Sequence, residues 1–136
     1  MIINAKKSKF VDLINGLYKV QNLPGKKFSL VVVKNIKTIK EALIELEQRS
    51  LPGEEFKTLA SKMQELLNSE EDKAKEIAEL EKENKNLIDS RKRQIAEVQK
   101  ELQEELELKL TPIKESMLPD DINAEQLLEL EDLITK

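Results

Sequence analysis

The chain has 136 residues, 39% hydrophobic and 37% charged, with three Phe, one Tyr, no Trp, no Cys and no His. Without Cys or His, disulfides, thiolate metal sites, the commonest general base and the usual physiological pH switch are all excluded. The formal net charge of −4 conceals two ends of opposite sign: residues 1–40 hold nine Lys against Asp12, and residues 97–136 hold twelve acids against Lys100, Lys109, Lys114 and Lys136.

That asymmetry has two readings. Either the ends attract one another or simply solvate the fold, or one of them is a face held ready for a partner. A basic face would suit nucleic acid, and an acidic face would imitate it. No aromatic residue is interleaved among the N-terminal lysines as a base-stacking platform requires, so nucleic acid is not the favoured partner.

Residues 2–5 read as a short strand, opened by Ile2 and Ile3 and closed by Lys6-Lys7-Ser8. Ser8 is a good helix cap, and Phe10, Leu13, Ile14, Leu17 and Tyr18 follow at helical spacing on one face. Gly16 weakens that helix by roughly 1 kcal/mol relative to Ala. Asn22-Leu23-Pro24-Gly25 is a turn.

Residues 28–33 have local strand preference, yet Phe28, Val32, Ile36, Ile39, Leu43 and Leu46 form one continuous stripe. The unbroken period predicts a single helix over 28–48, ended by Leu51-Pro52-Gly53. A charged helical run follows over 56–105. Its first stripe is Phe56, Leu59, Ala60, Met63, Leu66 and Leu67, and the polar group 68–72 permits a break, a kink or a straight passage. Beyond it the stripe drifts, and Asn84 and Arg91 fall on its seam. A long coiled coil rarely accepts both, so the run is expected to pack on its own domain or in a short antiparallel hairpin.

At residues 106–110 the period switches to strict alternation, the pattern of a half-buried strand. Its only strand-like partner in the sequence is 2–5. Thr111-Pro112 closes the strand, Leu118-Pro119-Asp120-Asp121 is a turn, and Asn123 with Gln126 has capping-box spacing. Ala124, Leu127, Leu128, Leu130, Leu133 and Ile134 then predict a closing helix of about three turns.

Reaction chemistry is not spelled out. Glu104, Glu105, Glu107, Asp120 and Asp121 are carboxylates on a strand edge or a turn, without the spacing of a calcium loop, and read as solvated charge. Gly25-Lys26-Lys27-Phe28-Ser29 lacks the first glycine and the spacing of a phosphate loop, though lysines at a helix start would suit an anion. Lys26, Lys27, Lys34, Lys37 and Lys40 lie in one acid-free stretch and are the candidate partner-binding residues. The expectation is therefore no catalytic residue, no metal and no cofactor.

The order of these elements resembles a family of small uncharacterised proteins encoded by tailed bacteriophages. The resemblance is carried by the opening strand and helix, by Val33-Lys34-Asn35-Ile36-Lys37-Thr38-Ile39-Lys40-Glu41-Ala42-Leu43, by Glu104-Glu105-Leu106-Glu107-Leu108-Lys109-Leu110, and by Leu118-Pro119-Asp120-Asp121-Ile122 with 127–134. Residues 69–93 depart from it, being longer and more helical. The resemblance implies a phage origin and work inside an infected bacterium, and it carries over no catalytic residue.

The expected fold is mostly α in a single domain of three parts, 1–53, 54–105 and 106–136. It is an antiparallel helical bundle or long helical hairpin, with one small two-stranded sheet between the N-terminal strand and 106–110. The expected function is non-enzymatic binding of a host or phage protein, inhibiting or redirecting a host factor such as a defence protein. Two alternatives are a virion or tail assembly chaperone or scaffold, and nucleic-acid or nucleotide binding through the basic N-terminal third. Unspent leucine and isoleucine on the stripes argue for a dimer. No apolar run reaches the length of a membrane span, and a cytoplasmic protein is the expectation.

Overall fold

The switch of period at the end of the charged run does build a strand. In the computed structural model, which describes residues 1–136, β1 (Ile2–Lys6) pairs antiparallel with β2 (Glu105–Lys109), Ile2 opposite Lys109 and Lys6 opposite Glu105. Ile3, Ala5, Leu106 and Leu108 are half-buried, while Asn4, Lys6, Glu105 and Glu107 are exposed. One face of the ladder therefore lies on the core and the other meets solvent, as alternation demands. Leu110 stands just past the strand, buried, with its amide donating to the Met1 carbonyl at 2.9 Å.

Helix α1 (Lys7–Val20) leaves β1 without a gap. Ser8 does not cap it: Lys6 occupies the cap position with no side-chain bond, and the Lys7 amide donates instead to the Glu104 carbonyl at 2.9 Å. The segment that leads into β2 thus satisfies a donor that a free helix would leave open. Phe10, Leu13, Leu17 and Val20 are buried, but Tyr18 is exposed, because the face turns toward Val20 and Gly16.

Gly25 carries a positive φ of 114° at the turn, which favours glycine. Helix α2 (Lys26–Ser50) then runs unbroken, so the long period overrides the β preference of Val31, Val32 and Val33. Phe28, Val32, Asn35, Ile39 and Leu43 are its buried row.

The C-terminal segment closes this core differently from the sequence expectation. The capping box at Asn123 and Gln126 is formed, but α6 (Ala124–Glu129) has six residues and not three turns. Glu131–Leu133 tightens into a 3-10 turn, and Ile134–Thr135 then pairs in parallel with Ile113–Lys114. These are β4 and β3, a second ladder of two residues each. Leu130 and Leu133 are both fully buried and Leu128 is 70% exposed, as on a continued helix; what departs from the helix is the end of the chain, which turns out to pair with β3.

Gly16 is where α1 meets α6. A Cβ at this position would stand 3.0 Å from the Glu129 Cβ and 3.6 Å from its carbonyl oxygen. Gly16→Val should lower the melting temperature by several degrees, since overpacking a tight contact costs about 1–3 kcal/mol. Gly16→Ala should cost less, because the gain in helix propensity of about 1 kcal/mol offsets part of the crowding. Thermal melts of the two variants check this, and equal melting of Gly16→Val and wild type would contradict it.

The chain divides into two compact units, Met1–Glu45 with Glu101–Lys136, and Leu46–Lys100. The second unit holds the end of α2 from Leu46 and three further helices, α3 (Glu54–Leu67), α4 (Ala74–Glu83) and most of α5 (Lys85–Leu102). The polar group at 68–72 does break the run. Ser69 Oγ accepts from the Glu71 amide and Asp72 Oδ1 from the Ala74 amide, so side chains here take over backbone partners and compete with the helix. A second break falls at Asn84, whose backbone and side-chain amides both donate to the Leu80 carbonyl.

The other polar seam residue, Arg91, donates to the Ser50 carbonyl at 2.8 Å and lies over the Phe56 ring at 5.8 Å. Gln94 donates to the carbonyls of Arg49 and Leu51. Together they satisfy the last carbonyls of α2, with a cation at the negative end of its dipole. Both seam polars therefore serve helix ends and not a coiled-coil register.

Candidate interaction face

The opposite charge of the two ends is partly consumed within the first unit. Lys7 pairs with Glu101 at 3.1 Å and Glu104 at 3.5 Å, Lys9 with Asp132 at 2.9 Å, and Lys19 with Glu129 at 2.6 Å. Lys6 donates to Gln103 at 3.2 Å. The hydrogen bond to Glu101 holds the Lys7 ammonium above its ordinary pKa, and that to Glu129 does the same for Lys19. Pairs as exposed as Lys9 with Asp132 are worth about 0–1 kcal/mol each. Their main consequence is that the lysines of β1 and α1 already have partners.

The lysines of α2 do not. Lys26, Lys27, Lys34, Lys37 and Lys40 are all exposed, and none of them is in an ion pair. Lys26 and Lys27 stand in the first turn of the helix, where there is no acid, and so oppose its dipole. Lys34, Lys37 and Lys40 repel one another at three-residue spacing, by a few tenths of a kcal/mol per pair. Glu41, one turn after Lys37, is the one acid at helical spacing from these lysines, and no ion pair offsets the repulsion among them.

The structure also places on this face three residues that the lysine cluster alone does not reveal. Leu30 is 62% exposed, Val33 60% and Ile44 42%. They alternate with the lysines in the order Lys26, Leu30, Val33, Lys37, Lys40, Ile44, at steps of four, three, four, three and four. This spacing keeps all six on one line along about five turns of helix, opposite the buried row Phe28, Val32, Asn35, Ile39, Leu43. Lys27 and Lys34 flank the line on one side. The signal was present in the sequence as a second heptad-like stripe, hidden behind the stronger one.

A second feature lies in the unit Leu46–Lys100. Phe56, Leu59, Ala60, Met63, Leu67 and Ile88 line an open groove of about 590 Å³, edged by Glu81, Lys85, Asp89 and Lys92. Leu46 and Leu59 are the buried hydrophobic residues of this unit, so its core is thin. The groove edge carries both signs of charge and gives no preference for a ligand. No helix is long and apolar enough to cross a membrane.

No family model matches the chain, and no curated protein or solved structure is significantly similar to it.

Proposed function

We propose that this chain is a non-enzymatic binding protein that engages a macromolecular partner through the exposed face of α2. On the phage resemblance, that partner is a bacterial host factor, which the protein inhibits or redirects. One observation carries the reading: the lysines of α1 are paired with the acidic C-terminal segment, while the five on α2 are left without a counter-charge. A cluster that costs helix stability and neutralises nothing within the chain suits steering onto an acidic surface.

The test compares the wild-type chain with its Lys26→Glu/Lys34→Glu/Lys37→Glu variant as bait in a lysate of phage-infected bacteria, with captured proteins identified by mass spectrometry. Capture should be lost in the variant while its melting curve is unchanged or raised. Equal capture by both, at low and at physiological salt, would move the interface off α2.

A further inference from the structure

Resting on that reading, we infer that the partner presents an acidic amphipathic helix, which lies along α2 and is read by the alternation of Leu30, Val33 and Ile44 with Lys26, Lys37 and Lys40. The step pattern of four and three is that of one strand of a two-helix seam. Over 26–44 the line is about 27 Å long, enough for a helix to lie in continuous contact. Its three aliphatic residues are exposed on a unit that otherwise turns its α2 aliphatics inward or half inward. A complementary helix would set aliphatic residues against Leu30, Val33 and Ile44, and Glu or Asp against the lysines between them.

Other occupants fit this line less well. A second copy docking α2 on α2 would bring ten lysines together, with only Glu41 and Glu45 of each chain near the contact. The acids best placed to answer them, Glu101, Glu129 and Asp132, are already held by Lys7, Lys19 and Lys9. A nucleic-acid backbone would use the lysines but leave the aliphatic residues between them without a role, and the face has neither Arg nor an aromatic ring to stack on a base. A bilayer surface calls for the apolar and basic residues on opposite faces of the helix. Here they share one face, because the larger apolar face of α2 is turned into the core.

The probe is a displayed library of helix-forming peptides of about 21 residues, long enough to cover the line, with seam positions varied among Leu, Ile, Glu, Lys and Ser. Selection on the full chain should enrich peptides that alternate aliphatic residues with Glu at steps of three and four. An enriched peptide, measured by fluorescence anisotropy, should bind the Leu30→Ser/Val33→Ser variant at least about tenfold more weakly. The Lys37→Glu/Lys40→Glu variant should reject it and select Lys-bearing peptides in its place. Circular dichroism should show both variants folded, since all four side chains are exposed.

No enrichment would overturn the inference, as would binding that ignores Leu30→Ser/Val33→Ser. Tighter binding of duplex DNA, or of vesicles of phosphatidylserine and phosphatidylcholine, would reassign the face to that ligand. A concentration-dependent dimer lost with Leu30→Ser/Val33→Ser would reassign it to a second copy. If lysate capture fails on reversal of the lysines but survives Leu30→Ser/Val33→Ser, the helix inference falls and the proposed partner-binding function stands.

Discussion

Asn35→Ala should lower the melting temperature by roughly 10 °C, corresponding to about 3 kcal/mol in a chain of this size. Asn35 is 1% exposed, the one buried polar residue in the row of α2 that faces the core. Its side-chain amide donates to the Thr111 carbonyl at 2.8 Å and its Oδ1 accepts from the Thr111 amide at 2.8 Å. The side chain thus stands where a neighbouring strand would stand, meeting both backbone groups of one residue. Thr111 needs this, because β2 has ended and the next residue, Pro112, has no amide to continue a ladder. Removing the amide leaves a donor and an acceptor of Thr111 without their partner, which costs more than a bond made at the surface. Asn35→Leu fills the space and should melt as low as Asn35→Ala, separating lost bonds from a lost volume. Asn35→Asp keeps the acceptor and should regain stability as pH falls, since a protonated acid can donate again. Hydrogen exchange should show the Thr111 amide exposed in Asn35→Ala. A melting temperature within about 2 °C of wild type would refute the role given to this pair.

Asn35 also marks where the sequence stops being legible. The stripe Phe28, Val32, Ile39, Leu43 declared which face of α2 is buried, and Asn35 lies on that stripe at the right step. Nothing local names its partner, which is 76 residues away. The same division holds throughout. Features written in a period or a short motif were readable: the α2 helix, the pairing of β1 with β2, and the capping box at Asn123. Features set by tertiary burial were not. The closing helix gives way at its end to the pairing of Ile134–Thr135 with Ile113–Lys114, and a two-residue ladder such as β3 with β4 has no period to detect. Ser8 is not the cap because α1 already begins at Lys7, whose amide donates to the Glu104 carbonyl. On the candidate face, the five lysines were visible as an acid-free stretch. Their lack of partners was not, because it depends on where the C-terminal acids fold, and those acids settle on α1.

Deleting residues 1–6 should remove on the order of 5 kcal/mol, adding the lost ladder bonds to the lost burial of Ile3 and Ala5. That is a large share of the roughly 5–15 kcal/mol available to a domain, so the melt should fall by well over about 10 °C or lose its cooperativity. The loss begins at β2. Glu105–Lys109 has β1 as its one strand partner, with Lys6 opposite Glu105 and Ala5 opposite Leu106. Without β1, the backbone of β2 becomes an open edge, and Leu106 and Leu108 lose the neighbours that cover them on the core face. The Leu110 amide loses the Met1 carbonyl, and Leu110 leads directly into the segment that Asn35 holds. Two point variants keep the test meaningful if the truncated chain does not fold. Ile3→Asp puts a charge on the half-buried face and should melt several degrees lower, whereas Asn4→Thr, on the exposed face of the same strand, should melt as wild type or slightly higher. Exchange protection across 105–109 should collapse in the truncated chain and weaken in Ile3→Asp. If instead the truncated chain melts like the whole one and 105–109 stays protected, β2 is held by the helices alone and β1 is dispensable to the fold.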